Sequence, residues 1–394
     1  FLIYWKQKNP SIEPHATRPH HTSQARHDGH QPRGVFSPSI LPMASFIAND
    51  APPTATIPVR IYYEDTDAGG LVHHSNYLRY FERGREHLLG CQKLTELFDE
   101  SQRSFVVASM EVIYKKGALW GDLLEIRTST IVHSPYRVEF RQDVYRQEEL
   151  LVEGHVFMAT VQGSGTAMKL CPFPDYILNG QVPTIPGLHT SSSSAHGVVK
   201  KKRLPPPRKN KHNKDDGWCS FGNGKPCLMT VYLDDTDFTG ISYNANYLKW
   251  MERARADAIG IQQLAALRQG NEQQGIVGVG AAIYKATLKF KRGAKFGDCV
   301  CITTKAKLES EYRVGFKHEL RLWENGNAGG GGGAEGNETK MNATSSATQM
   351  LLPTAEQIQQ MPLLVEAEIS LVFLNAGGNG NLVKLPSSVT DMLK

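Results

Sequence analysis

Asp67 and Asp237 are the residues around which a reaction would be built. Each closes a D-T-D triplet, Asp65-Thr66-Asp67 and Asp235-Thr236-Asp237, and each is followed three positions later by a glycine, Gly70 and Gly240. Each loop runs straight into a segment with apolar residues at helical spacing. A carboxylate on such a loop can attack an electrophilic carbon or activate a water. The first turn of the following helix offers backbone N–H groups with no intrahelical acceptor, at the positive end of the helix dipole, where a developing oxyanion would be met. The glycines let a substrate approach the backbone closely. Asp65 and Asp235 read as turn or cap residues.

The two loops are copies of one stretch. Residues 62–86, YYEDTDAGGLVHHSNYLRYFERGRE, recur as residues 232–256, YLDDTDFTGISYNANYLKWMERARA, at a constant offset of 170 residues without a gap. Asn76 and Tyr77 fall on Asn246 and Tyr247, and Glu82 and Arg83 on Glu252 and Arg253. The match resumes downstream at an offset of 176, where GALWGD at 117–122 meets GAKFGD at 293–298. The six additional residues lie around positions 268–274. The chain therefore reads as two copies of one unit, each with its own candidate site.

The elements that must hold the loops follow from periodicity. Val59, Ile61 and Tyr63 alternate as a short strand. Tyr77, Tyr80, Phe81, Gly84 and Leu88 recur at helical spacing, so a helix is expected from about 74–75 to about 90. Gly84 lies in the middle of its apolar face and predicts a close backbone approach. Strands are expected near 105–114, 123–132, 137–146 and 151–161. One long helix with about five strands makes an α+β unit of roughly 100 residues. The expected organisation is a disordered or targeting tail at 1–56, a first unit at 57–162 and a basic Pro/Ser-rich linker at 163–228. A second unit then spans 229–375, with a Gly-rich insert at 325–360, and a tail covers 376–394.

Composition narrows the function. The formal charge of +5 is concentrated, because eight Lys/Arg lie between Lys200 and Lys214 and the remainder is slightly acidic. That gives little support for nucleic-acid binding. The basic run suits a solvated spacer, with an import signal or an anionic-surface patch as alternatives. No apolar run approaches the ~20 residues needed to span a bilayer. Six cysteines without a CxxC pair fit a reduced, intracellular compartment. The expected location is cytoplasmic or organellar, since the Arg-containing, acid-poor first segment would also suit a transit sequence.

These residues resemble the hotdog-fold acyl-CoA thioesterases, in particular the bacterial tol-pal-associated thioesterases and 4-hydroxybenzoyl-CoA thioesterase. The resemblance rests on PVRIYYEDTDAGG, HSNYLRYFERGRE and the following GD-LLEI strand, and on the recurrence of D-x-D-x-x-G, N-Y and E-R in the second copy. It implies a curved antiparallel sheet wrapped around a long central helix in each unit, with the two units packed as a dimer-like pair within one chain and further dimerisation open. It implies hydrolysis of an acyl-CoA, with no cofactor and no metal. By position, Asp67 and Asp237 match the family's catalytic aspartate. His74 and Asn244 match the position whose backbone N–H polarises the thioester carbonyl. Gly70, Gly240, Tyr77, Tyr247, Glu82 and Glu252 complete the substrate-binding set, with a solvated helix acid or a salt bridge to a nearby Arg as an equal alternative for the glutamates.

The copies differ where His74 becomes Asn244 and Gly69 becomes Thr239, so the second site is expected to be active or impaired, with narrower access for the acyl group. A DxD beside His73 and His74 would also suit a divalent metal, but the loop-and-helix match accounts for these residues without one. A non-catalytic acyl-CoA-binding or sensing module is the alternative function. A dehydratase on the same fold fits the DTDAGG loop poorly. The acyl group is not specified by the sequence.

Overall fold

The computed structural model describes residues 54–163, 168–180, 217–221, 224–270, 278–324, 352–375, 381–391 and 393. Most of the expected N-terminal tail, the basic run and the Gly-rich stretch lie outside these residues. Among the described residues, no helix is long and apolar enough to cross a membrane.

The first half begins with β1 (Thr54–Arg60) and a 3-10 turn (Tyr63–Asp65). Then come α1 (Asn76–Leu89), α2 (Cys91–Ser101), β2 (Arg103–Tyr114), β3 (Leu123–Ser134), β4 (Arg137–Arg146) and β5 (Glu149–Gln162). A short β6 (Lys169–Cys171) and α3 (Asp175–Leu178) follow. The second half contains β7 (Cys219–Ser220), β8 (Cys227–Thr230), a 3-10 turn (Leu233–Asp235), α4 (Asn244–Ile259) and α5 (Ile261–Gln269). It continues with β9 (Val279–Phe290), β10 (Cys299–Ser310), β11 (Arg313–Leu322), α6 (Ala355–Gln360), β12 (Leu363–Asn375), β13 (Leu382–Val383) and α7 (Ser387–Asp391).

Among the described residues, all strands join one antiparallel sheet. Its order is β1-β3-β4-β5-β2-β9-β12-β11-β10-β7, with β6, β8 and β13 paired off this path. The halves meet where β2 pairs with β9, from Ser109↔Lys289 to Ile113↔Lys285, and Lys285 adds an ion pair to Glu111 at 2.9 Å. Each long helix lies on its half of the sheet because its apolar stripe has nowhere else to go. Tyr77, Tyr80, Phe81 and Leu88 are buried on α1, and Tyr247, Trp250 and Met251 on α4. Each such aromatic contributes about 1.5–3 kcal/mol by leaving water.

The helix stripe also sets side-chain size on the sheet. Phe81 lies over Gly154 of β5, where a Cβ would come within 2.4 Å of the ring. Gly84 is needed for a comparable reason, though the close approach is to side chains and not to backbone as periodicity suggested. A methyl there would sit 2.6 Å from Thr128 Oγ1 and 3.2 Å from Gln142 Nε2.

Several expected boundaries shift. Thr54, Ala55 and Thr56, assigned to the tail, pair with Ser129, Thr128 and Arg127. The expected linker is structured at both ends. Cys171 pairs with Thr160, Phe173 and Ile177 are buried, and Cys219 pairs with Ala306. The expected C-terminal tail behaves the same way: β13 pairs with β12, and Leu385 and Val389 are buried. In each case one or two apolar residues are captured by the end of the sheet, too few to create a periodic signal. The expected insert ends in α6, which Thr354 and Gln357 cap reciprocally. The helix α2, absent from the sequence reading, has no buried residue.

Gly84→Ala tests the helix–sheet fit. Overpacking costs about 1–3 kcal/mol, against about 1 kcal/mol gained in helix propensity. The urea midpoint is expected to fall with an unchanged m-value, and an unchanged or raised midpoint would show that the sheet side chains yield.

Candidate active site

Each D-T-D loop is held by its own backbone. Tyr62 N–H donates to Asp65 Oδ2 at 2.9 Å, and Tyr232 N–H to Asp235 Oδ2 at 3.1 Å. Asp65 O accepts from His73 N–H at 2.8 Å and from the Asn76 side-chain amide at 2.9 Å. Asp235 O accepts likewise from Tyr243 N–H at 2.8 Å and Asn246 at 3.1 Å. Asn76 and Asn246, the first asparagines of the N-Y pairs, thus tie the loop back to the helix start. Gly70 and Gly240 have φ of 77° and 75° with open space around them. Their left-handed turn conformation is what calls for glycine.

Asp67 and Asp237 are exposed at the loop tips. Asp67 Oδ1 accepts the Gly69 N–H at 2.5 Å. Asp237 Oδ1 accepts the Thr239 N–H at 2.8 Å and also the Thr239 hydroxyl at 2.5 Å. Position 69/239 therefore acts on the carboxylate itself, since the hydroxyl occupies a lone pair that remains open on Asp67. His74 lies just before α1, and Asn244 is the first residue of α4. Their N–H groups belong to the region where backbone donors lack an intrahelical acceptor.

The glutamates reach across the chain. Glu252, on α4, accepts from His73 Nε2 at 2.7 Å and lies 3.7 Å from His74 Nε2. Glu82, on α1, faces the Tyr243 hydroxyl. Each loop is thus met by a carboxylate from the other half, a juxtaposition that no local reading of either copy supplies. Burial works to raise the Glu252 carboxyl, but the His73 hydrogen bond and neighbouring charge leave it at about 2. Burial, reinforced by His73, drops His74 to about 3, so its imidazole is neutral at physiological pH.

Tyr77 and Tyr247 lie in the core under the helices. They are 2% and 1% exposed, and their hydroxyls accept the backbone N–H of Ala118 at 3.0 Å and of Ala294 at 2.9 Å. They pin the GALWGD and GAKFGD turns to the helices. Phe238 was not singled out by sequence. It replaces Ala68, is 83% exposed, and packs edge-on against Phe98 of α2 at 5.4 Å between centroids.

With fold and loops in view, the comparisons with known proteins fix the class. A thioesterase-like superfamily model matches residues 62–181, and a thioesterase superfamily model matches residues 239–308. The chain belongs to the thioesterase superfamily and carries two thioesterase hotdog domains. It is 38% identical over 121 residues to the acyl-CoA thioesterase YbgC of Haemophilus influenzae, covering 30% of this chain and 88% of that protein. It is 38% identical over 106 residues to the acyl-CoA thioester hydrolase YbgC of Escherichia coli O6:H1, covering 26% of this chain and 79% of that protein. A Lactobacillus plantarum structure provisionally named oleoyl thioesterase shares the fold, with a TM-score of 0.53 at 12% identity over 82% of this chain and 97% of that one.

The buried histidines predict acid lability. His74, lowered from 6.5 to about 3, stays neutral in the native state while the unfolded chain takes up a proton. His318 acts in the same direction, burial holding it well below 6.5. Stability therefore falls as pH drops below about 6.5. The Glu252 contribution is intact above 4.5 and is lost only as pH falls towards about 2. Urea midpoints measured between pH 7.5 and pH 5 are expected to decline less steeply in His74→Asn than in the wild type; equal slopes would refute this assignment.

Proposed function

We propose that the chain hydrolyses an acyl-CoA thioester to the free acid and CoA, with the Asp67 loop as the principal site. The reading is carried by one observation: an exposed carboxylate on a hydrogen-bonded, twice-repeated loop that leads into a helix start, in a chain of the thioesterase superfamily. Asp67 either attacks the thioester carbonyl carbon or removes a proton from an attacking water. In the first case CoA leaves as the thiolate, and water then cleaves the Asp67 acyl anhydride. In the second the acid forms directly. The N–H of His74 is the donor for the carbonyl oxygen, its effect strengthened by the helix dipole. Glu252 positions the His73-His74 segment, and Glu82 does the same for Tyr243-Asn244. Gly70 and Gly240 shape the loops so that the carboxylates point outward.

The same reading makes the two hotdog units a dimer-like pair within one chain, supported by the β2–β9 seam and by the crossing glutamates. The unit boundaries become 54–178 and 219–391. The Asp237 site is the weaker hydrolase, because Thr239 hydrogen-bonds the carboxylate and Phe238 stands beside it. An aromatic group in place of Ala68 also favours different acyl ends at the two sites.

Asp67→Asn and Asp237→Asn, assayed separately for thiol release over a panel of acyl-CoAs, test the proposal. Loss of a positioned base or nucleophile costs about 10²–10⁴-fold, so Asp67→Asn is expected to remove most turnover, Asp237→Asn a smaller part, and the double variant the whole. Full activity in both single variants and in the double variant would sink the mechanism.

A further inference from the structure

We propose that His73, His74 and Glu252 form a binding site for one zinc-class divalent ion, bridging the first loop to the helix α4 of the second half. One ring nitrogen of each histidine and a Glu252 carboxylate oxygen lie within 4.8 Å of one another. Tetrahedral Zn²⁺ with bonds of 2.0–2.1 Å needs donors about 3.3 Å apart. That value falls between the 2.7 Å and 3.7 Å separations of His73 and His74 from Glu252. The His74 Nε2 is buried and has no hydrogen-bond partner, leaving a lone pair or proton aimed at this cluster unsatisfied.

The surroundings suit a metal. His73 Nδ1 contacts Ser75 Oγ at 2.8 Å, and Ser75 is fully buried. A hydroxyl can donate to Nδ1 when Nε2 holds the proton, and accept from Nδ1–H when Nε2 holds a metal. That is the outer partner a ligating histidine ordinarily has. Glu252 is about half exposed, which gives an entry path and a fourth position for water. The donor types of the set select the ion. Two nitrogens and one oxygen suit zinc over the hard all-oxygen ions magnesium and calcium. Arg255 and Lys249 add positive charge nearby, which moderates the affinity.

The second half lacks the site, although Glu82 stands where Glu252 does. Tyr243, Asn244 and Ala245 replace His73, His74 and Ser75, so both nitrogen ligands and the supporting hydroxyl are missing together. One ion per chain is therefore expected.

Chelator-treated full-length chain titrated with Zn²⁺ is expected to bind one equivalent and to gain thermal stability, since the ion binds the folded state. Co²⁺ in its place should give visible bands of nitrogen and oxygen ligation without thiolate charge transfer. Ser75→Ala should weaken Zn²⁺ binding by about 10-fold or more, and His73→Ala or the near-isosteric Glu252→Gln should abolish the equivalent while far-ultraviolet circular dichroism stays native. Binding unchanged in Glu252→Gln and His73→Ala, thiolate bands with Co²⁺, or no stoichiometric binding would each overturn the site. The readout is metal binding, independent of turnover, so this inference and the hydrolytic reading fail separately.

Discussion

Each long helix hides an arginine against the sheet, and the rest of both sites depends on how that charge is held. Arg85 and Arg255 are 4% and 5% exposed. A guanidinium in that position is tolerable only when hydrogen-bonded and paired. Arg85 donates to Gln142 Oε1 at 2.7 Å, and Gln142 in turn donates to Phe81 O at 2.6 Å and Thr128 Oγ1 at 3.0 Å. In the second half His318 takes the place of Gln142. Arg255 lies 3.0 Å from His318 Nε2, and Thr304 Oγ1 lies 3.1 Å from Nδ1. Because Arg255 has only protons to offer, Nε2 must be the acceptor and Nδ1 the protonated nitrogen. His318 is thereby locked neutral, and burial holds it there.

One turn before each arginine stands the glutamate that reaches the opposite loop. Glu82 lies 4.0 Å from Arg85, and the Arg255 charge acts on Glu252 in the same sense. The arginine is thus the middle of a relay that runs from sheet to helix to the neighbouring half. A displacement of either helix on its sheet would move the other half's loop. The β2–β9 seam limits such displacement by making the two half-sheets continuous.

What could be read from the amino-acid sequence follows from which contacts are local. The D-T-D loops, the helix stripe of Tyr77, Phe81 and Gly84, and the strands β2 to β5 are written in spacing, and duplication made each visible twice. The contact of the Tyr77 hydroxyl is not local, since its partner, Ala118, is 41 residues away. Spacing shows its place in the N-Y motif but not that its hydroxyl accepts a backbone N–H of the GALWGD turn. The pairing of Glu252 with His73 spans 179 residues and leaves no trace in either repeat. Segments such as Phe173 and Ile177, or Leu385 and Val389, join the core as isolated apolar residues in polar surroundings, and periodicity has nothing to register there.

The same relay explains where the two copies differ. Glu82 and Glu252 are identical, and so are Arg85 and Arg255, each glutamate standing near a buried arginine. The residues that receive the glutamates are not the same. A tyrosine hydroxyl at Tyr243 and an imidazole at His73 can both donate to a carboxylate, so either satisfies the relay. They differ in what else they offer. Tyr243 leaves its loop with a phenol whose ionisation burial and Glu82 both oppose, and nothing further to bind. His73 brings a second nitrogen, held by Ser75, and places His74 beside the same carboxylate. One duplicated frame thus holds two chemically distinct corners, and the distinction is set by three consecutive residues rather than by the fold.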